Sequence, residues 1–186
     1  VWDVTIAQDI TPADFDSMER RLLVTGRGGG TVAVDLVNAD VLPAFYPGTA
    51  LRLNMAAFPL WVEYAADEAG YLALQGKRAP GENMVLARGG LFSQAYVPRR
   101  GGQAPAAGLE DDFVLLRGRV KDVRVGETMM GLQPMTTFIR ATVETTFGDL
   151  EVCHLADQVA EEQKDLVQVG ASLSALCILS CNPPFG

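Results

Sequence analysis

The strongest constraint on the fold is the alternation of apolar and polar residues in the stretch 113–181. Between 136 and 146, apolar residues occupy alternate positions with polar residues between them; the apolar set is Ile139, Ala141 and Val143. A period of two places these residues on one face of a β-strand and their polar neighbours on the other. This part of the chain is therefore predicted to form a sheet with one buried face.

Four strands and one short helix are predicted in the C-terminal half. The strands span 113–125, 136–146, 150–155 and 172–180, and the helix spans 157–165 with Asp157 as its cap. Phe147-Gly148-Asp149 is a tight turn, so the second and third strands form a hairpin. Gly118 lies in the middle of the first strand, where a strongly bent strand can coil.

The order of these elements matches that of an OB-type barrel, a partly open five-stranded structure. No fifth strand is visible after Cys181. Either a strand from the N-terminal half closes the barrel, or the barrel is incomplete. The predicted fold class is mainly β (α+β), with an OB-like, partly open barrel in the C-terminal half packed against an N-terminal α+β half.

The N-terminal half predicts both helix and strand. Thr11-Pro12 is typical of a helix start, and Phe15, Met18 and Leu22 would share one helical face, which predicts a helix over 12–23. After a glycine-rich break, further elements follow from the pattern: strands at 31–37, 49–58 and 60–65, with Pro59 interrupting the ladder, and a short helix at 67–75.

Two halves are predicted from the change in composition between 76 and 108, which is rich in Gly, Ala, Pro and Arg. The best linker is 99–105, which gives an N-terminal α+β half at 1–105 and an OB-like half at 106–186. A segment as short as the second half supports only a marginal core. We therefore expect the N-terminal half to pack against it as one body.

Charge and hydropathy narrow the classes of partner. The net charge is −8, and an acidic protein is repelled by phosphate backbones and by anionic lipid surfaces. No apolar run approaches the roughly 18–20 residues that cross a bilayer, and the N-terminus lacks the features of a signal peptide. The expected location is the cytoplasm, without a membrane partner, and the acidic balance favours a basic protein partner.

A resemblance covers about half of the chain. The segment 42–64 contains Leu-Pro-Ala-Phe-Tyr-Pro-Gly and Ala-Ala-Phe-Pro, and the segment 113–181 contains Arg-Gly-Arg-Val-Lys-Asp-Val and Thr-Val-Glu-Thr-Thr-Phe-Gly-Asp-Leu-Glu-Val. Both resemble uncharacterised proteins of gut and soil Gram-positive bacteria. The resemblance implies an acidic, aromatic tail after the final strand, whereas this sequence reads Asn-Pro-Pro-Phe-Gly there. It carries no functional residue to this chain.

Metal and thiol chemistry is weakly indicated. His154 is the only histidine, and the three cysteines are Cys153, Cys177 and Cys181. A zinc site from these four is chemically permissible, but neighbours on a strand point to opposite faces. We predict no metal and no cofactor, reduced thiols with Cys153 and Cys177 buried, and His154 as a partly exposed residue at a strand end.

No catalytic constellation is visible. The glycine-rich stretch 26–30 follows a predicted helix and opens a strand, whereas a phosphate-binding loop follows a strand and opens a helix. The carboxylate clusters 110–112 and 161–162 are typical of a solvated loop and a solvated helix face. The chain is predicted not to be an enzyme, although a site assembled from scattered carboxylates and the 26–30 loop remains an alternative.

Basic residues on two strands support a nucleic-acid alternative. Arg117, Arg119 and Lys121 alternate along the long strand, and Phe138 and Arg140 lie on the next one. OB-type barrels bind single strands through basic strands with stacking aromatics. Residues 109–181 nevertheless contain twelve acidic and six basic residues, a local net charge of −6, which opposes binding to phosphates.

The main hypothesis is a non-catalytic binding protein whose partner is another protein, such as an inhibitor or an immunity-type protein. The aromatic loop containing Phe45 and Tyr46 is the candidate contact. The alternatives are a single-stranded nucleic-acid-binding module and an enzyme with an unrecognised site.

Overall fold

The computed structural model describes residues 1–13, 18–42, 46–77, 86–93, 113–130 and 133–184. Over these residues the chain is mainly β, as predicted. The strands are β1 (Trp2–Asp9), β2 (Arg20–Gly26), β3 (Thr31–Leu36), β4 (Ala50–Ala65), β5 (Leu91–Ser93), β6 (Val114–Met130), β7 (Gln133–Thr145), β8 (Gly148–Leu155) and β9 (Ser172–Asn182). The helix α1 spans Glu68–Gly76, and short 3₁₀ helices span Ala39–Val41, Ala156–Gln158 and Glu161–Leu166.

Strands β4 and β9 lie at the centre of the sheet and pair antiparallel from Asn54↔Asn182 to Ala65↔Ser172. On one side, β9 leads through β3 and β2 to β1, and β1 pairs back to β4. On the other side, β4 leads through β8 and β7 to β6, and β6 pairs back to β9. The pairings thus form two closed cycles of strands that share β4 and β9.

The partner missing from the C-terminal strands comes from the N-terminal half. Strand β4 pairs with β8 at Ala56↔Glu151 and Ala57↔Val152, and with β9 along most of its length. Unpaired backbone amides and carbonyls on β8 and β9 would be unfavourable in a buried sheet. The apolar residues of both cycles also form one core, which includes Val24, Leu53, Val143 and Leu173.

The predicted helix at 12–23 is wrong at every position that the structure describes, since 12–13 and 18–19 are not helical. Residues from Arg20 onward form β2, which lies between β1 and β3. Leu22, Leu23 and Val24 are all buried there, and a short apolar run of this kind does not distinguish a helix from a buried strand. Pairing on both edges of β2 decides for the strand. The segment 14–17, with Phe15, lies outside the described residues.

Strand β4 continues through Pro59 rather than ending there. The register with β9 shifts between Pro59 and Trp61, so Leu60 is an extra residue in β4. Such a bulge tolerates proline, because the ladder is already interrupted at that point. Phe58 and Leu60 lie two positions apart on either side of Pro59, and both face solvent.

Strand β6 is longer than predicted and changes partners near Gly118. It pairs with β9 from Val114 to Arg119 and with β7 from Arg119 to Met130. A Cβ atom at Gly118 would overlap the Val143 side chain and the Glu144 carbonyl oxygen of β7. Glycine is therefore required where the two strands come together.

The predicted helix at 67–75 is confirmed as α1, with the Asp67 side chain accepting a hydrogen bond of 2.8 Å from the Gly70 amide. The predicted helix at 157–165 is instead two short 3₁₀ helices. Asp157 lies inside the first of them, so it is not a cap; the Leu155 amide there donates to Gln158 Oε1. The predicted linker 99–105 lies outside the described residues.

Among the described residues, no helix is both long enough and apolar enough to span a membrane.

Candidate binding surface

The outer face of β4, β8 and β7 carries exposed aromatic, aliphatic and charged side chains. Arg140 lies opposite Cys153, and Phe138 opposite Leu155, in the β7–β8 pairing. On the next strand, Gly126 of β6 lies opposite Phe138, and a Cβ atom at Gly126 would overlap the Phe138 ring. The ring therefore lies flat across the sheet and remains on the outer face.

Four exposed hydrophobic side chains lie on these neighbouring strands, near the end of β8 and the bulge in β4. The exposed fractions are 50% for Phe58, 55% for Leu60, 42% for Leu155 and 36% for Phe138. We call these four residues the apolar row. Single exposed hydrophobic residues are common on protein surfaces, but a contiguous group is characteristic of interaction sites.

The Gln158 side chain holds the two parts of the apolar row together. Its amide nitrogen donates to the Pro59 carbonyl at 3.0 Å, and its amide oxygen accepts from the Leu155 amide at 2.8 Å. These two bonds link the end of β8 to the bulge in β4. Leu155 is thereby placed beside the backbone that carries Phe58 and Leu60.

An open groove of about 400 Å³ adjoins the row at Phe58. Its walls come from β4, β8, β7 and the end of β9, and they include Met55, Cys153, Arg140 and Cys181. The groove arises because β4 pairs with β8 over only a short stretch, so the two strands diverge. Its volume lies in the range of small-ligand and peptide side-chain sites.

The charged residues on the same face neutralise one another. Arg140 pairs with Glu151 at 3.0 Å, and Lys121 pairs with Asp149 at 2.9 Å. The carboxylate of Asp149 raises the pKa of Lys121, through a hydrogen bond and through its charge. Lys121 and Arg140 are thus satisfied within the protein, whereas the hydrophobic side chains of the apolar row remain exposed to solvent.

The five residues of the predicted nucleic-acid face are not equivalent in the structure. Arg119 and Lys121 are exposed, and Phe138 and Arg140 lie on the outer face of β7. Arg117 is only 2% exposed, because α1 covers it. It pairs with Glu68, donates to the Leu86 carbonyl at 2.6 Å and lies 3.6 Å from the centre of the Tyr71 ring.

The aromatic loop proposed as a protein contact is only partly described. Tyr46 is exposed, and its amide donates to Thr49 Oγ1. The Gly48 amide bonds to the Ile6 carbonyl, which places the loop beside β1. Phe45 lies outside the described residues. Tyr46 is thus next to β1, a strand that carries no residue of the apolar row.

The histidine is buried, which corrects the predicted exposure at a strand end. His154 is 4% exposed, and its Nε2 lies 2.8 Å from the Tyr64 hydroxyl. Its Nδ1 lies 2.9 Å from the Leu155 carbonyl oxygen, which only accepts, so Nδ1 carries the proton and Nε2 accepts from Tyr64. Burial raises the pKa of Tyr64. Tyr64 and His154 thus form a buried hydrogen-bonded pair within the core.

Cysteine exposure also differs from the prediction. Cys177 and Cys181 are buried, and burial raises the pKa of each to about 12. Cys153 is half-buried instead, and burial followed by the charge of Glu151 raises its pKa. In the described part of the chain no three His, Cys, Asp or Glu side chains gather as metal ligands.

The burial of His154 leads to a pH-dependent stability. Burial lowers the pKa of His154 below the ordinary value of 6.5, and the bond to Leu155 only partly opposes this. Between these two pKa values the unfolded chain binds a proton that the folded chain does not. The free energy of unfolding is therefore expected to fall as the pH drops below 6.5, by at most about 1.4 kcal/mol per pH unit.

Urea unfolding between about pH 5 and pH 7 measures this slope, with His154→Gln as the comparison. Glutamine keeps an acceptor for Tyr64 and removes the only imidazole. The variant is expected to show a smaller slope than the parent protein. Equal slopes would mean that the carboxylates, and not His154, determine the dependence.

The glycine-rich stretch 26–30 is the turn between β2 and β3, so the predicted connection from a helix is wrong. The Gly26 amide bonds to the Gly30 carbonyl, and Gly29 adopts a φ of 79°. The Phe147 ring lies against Gly26 and Gly30, where a Cβ atom would meet it. The carboxylates Glu161 and Glu162 are exposed, and the cluster 110–112 lies outside the described residues.

Comparisons of this chain with protein-family models, with curated proteins and with solved structures each find no match.

Sequence reasoning missed three members of the apolar row. Phe58, Leu60 and Leu155 were each assigned to strands, but a strand pattern does not tell which face will remain uncovered. The bulge at Leu60 shifts the alternation of β4 by one residue. The Pro59 in an otherwise apolar strand was the only available signal of that shift.

Proposed function

We propose that this protein is a non-catalytic binding protein that uses the apolar row to bind a basic polypeptide segment. The observation that carries the proposal is the exposure of four large hydrophobic side chains on the neighbouring strands β4, β8 and β7. Covering one half-exposed Leu or Phe contributes on the order of 1 kcal/mol. Four such residues beside an open groove supply anchors for apolar side chains of a partner.

Charge identifies the kind of partner. The chain has a net charge of −8, and the short helices that follow the apolar row carry Asp157 and Glu162, which have no ion pair among the described residues. The arginine nearest the groove, Arg140, is already paired with Glu151. A partner segment with apolar residues flanked by Lys or Arg fits this acidic surface best. The protein would then act as an inhibitor or immunity-type protein that neutralises a basic partner.

The alternative is that the cycle of β4 with β6–β9 is OB-like and binds a single-stranded nucleic acid. Phe138 and Arg140 on its outer face support this alternative. Arg117 is buried, however, and Lys121 and Arg140 are paired with carboxylates. Binding to phosphates would have to break these pairs, so the polypeptide partner is favoured.

Selection of random peptides displayed on phage tests the proposal. The parent protein is expected to select peptides with two or more apolar residues next to Lys or Arg. The double variant Phe58→Ser/Leu155→Ser is expected to lose at least about tenfold in affinity for them, because each truncation at a buried contact costs about 1 kcal/mol or more.

The matched control is Leu72→Ser/Val169→Ser, which removes two exposed hydrophobic residues outside the row. Its affinity for the selected peptides should equal that of the parent protein. Equal loss in both double variants, or selection of acidic peptides, would contradict the proposal. Self-association of the parent protein that the row variant abolishes would identify a second copy as the partner instead.

A labelled oligonucleotide titrated at about 50 mM salt, where phosphate contacts are strong, tests the alternative. Binding that the Phe58→Ser/Leu155→Ser variant retains, and that Arg119→Gln weakens, would favour the nucleic acid over the polypeptide.

A further inference from the structure

A second surface feature lies where α1 begins beside β6 and β9. It is a cleft of about 190 Å³, lined by Arg88, Arg117 and Arg119 together with Asp67, Glu68 and the turn 170–172. None of these residues belongs to the apolar row. Three arginines in one small cleft on a protein with a net charge of −8 require an explanation.

The two carboxylates in the cleft are already engaged. The Asp67 side chain accepts from the Gly70 amide at the start of α1. Glu68 pairs with Arg117. Arg88 and Arg119 are exposed and have no ion pair among the described residues. Within the described part of the chain, two guanidinium groups therefore line the cleft without an ion-pair partner.

Arg117 provides an independent indication of a missing partner. Its side chain is 2% exposed, and its Nε has no hydrogen-bond partner, although its other two nitrogens donate to Leu86 and Glu68. Buried donors are nearly always satisfied in folded proteins, so an unpartnered one in the wall of a cleft points to a ligand. The start of α1 adds backbone amides and the positive end of a helix dipole.

We propose that this cleft binds a phosphate group. Arginine donates in a fork that matches two oxygens of an oxyanion. A doubly charged group is favoured over a carboxylate because two arginines, Arg88 and Arg119, line the cleft and have no ion pair among the described residues. The phosphate is free inorganic phosphate or belongs to a small molecule whose other part extends out of the open cleft, which measures about 190 Å³.

Titration of the full chain with inorganic phosphate, followed by NMR at constant ionic strength, tests the proposal. Saturable shifts are expected for the amides of Gly170 and Ser172, which line the cleft. Arg119→Gln and Arg88→Gln should each weaken phosphate binding about tenfold, the typical loss for one charged hydrogen bond. Acetate should bind more weakly than phosphate.

The matched control is Arg124→Gln, which removes another exposed arginine of β6 that pairs with Asp122 outside the cleft. It should leave the phosphate affinity unchanged. Shifts that are unsaturable, or an equal loss in Arg124→Gln and Arg119→Gln, would overturn the proposal. Replacement of inorganic phosphate by glucose 6-phosphate tells the two sources apart, since tighter binding of the sugar phosphate assigns the site to a phosphorylated small molecule.

The result is independent of the proposed polypeptide partner. The variant Phe58→Ser/Leu155→Ser changes no residue of the cleft and should bind phosphate like the parent protein.

Discussion

Replacement of Gly118 by alanine is expected to lower the free energy of unfolding by about 3 kcal/mol, at the upper end of the cost of overpacking. The new Cβ atom would overlap both the Val143 side chain and the Glu144 carbonyl oxygen. A flexible side chain can move away, but Glu144 belongs to β7, which pairs with β6 on one edge and β8 on the other. Relief of the overlap would have to move paired backbone.

Urea denaturation of the Gly118→Ala variant measures the effect, and Gly76→Ala is its matched control. Gly76 is the last residue of α1, and a Cβ atom there meets nothing within 4 Å. That substitution is expected to be neutral or to stabilise the protein by up to about 1 kcal/mol, because it restricts the unfolded chain. Similar losses in the two variants would show that β6 and β7 do not approach as closely as described.

Replacement of Arg117 by alanine is expected to cost about 3 kcal/mol, the range for truncation of a large buried side chain. The variant would leave a cavity under α1, remove the donor to the Leu86 carbonyl and expose the face of the Tyr71 ring. Glu68 is more than half exposed, so water can solvate it after the pair is lost. The loss therefore comes mainly from packing and from the carbonyl left without a donor.

Arg119→Ala is the control for this prediction, because it removes the same side chain from an exposed position two residues along β6. Its effect should stay within about 0.5 kcal/mol. Hydrogen exchange gives a second readout: the amides of α1 should lose protection in Arg117→Ala and keep it in Arg119→Ala. Equal protection in the two variants would contradict the role of Arg117 in holding α1 on the sheet.

Most strands follow from local patterns. β3, the β7–β8 hairpin and β9 were predicted because their apolar residues alternate. Such a pattern is local, and one buried face is enough to produce it. The turn predicted at 147–149 lies at 146–147, and Gly148 already belongs to β8. The coiling predicted at Gly118 corresponds to the point where β6 changes partners.

Strand β2 shows that a local sequence pattern does not always determine the secondary structure. Leu22, Leu23 and Val24 form a short apolar run that suits a buried helix turn as well as a buried strand, and only the neighbours β1 and β3 decide between them. The same holds for β4, whose role as the partner of both β8 and β9 depends on residues about 100 positions away in the chain.

The candidate sites were less predictable than the fold. Arg117 and Arg119 are two positions apart on β6, so the sequence pattern predicts the same exposure for both. In the structure α1 covers Arg117 and leaves Arg119 exposed. The nucleic-acid face, the polypeptide partner and the division at 105 stay predictions.

The sequence by itself determined the strand-rich character of the chain and the helix α1 that follows Asp67, because alternation and capping act over a few residues. Only the tertiary structure decided that β4 joins two cycles, that His154 and Arg117 are buried, and that Phe58, Leu60, Leu155 and Phe138 remain exposed together. Burial depends on which distant element covers a face, and contacts of that kind leave no periodic signal in the segments that make them.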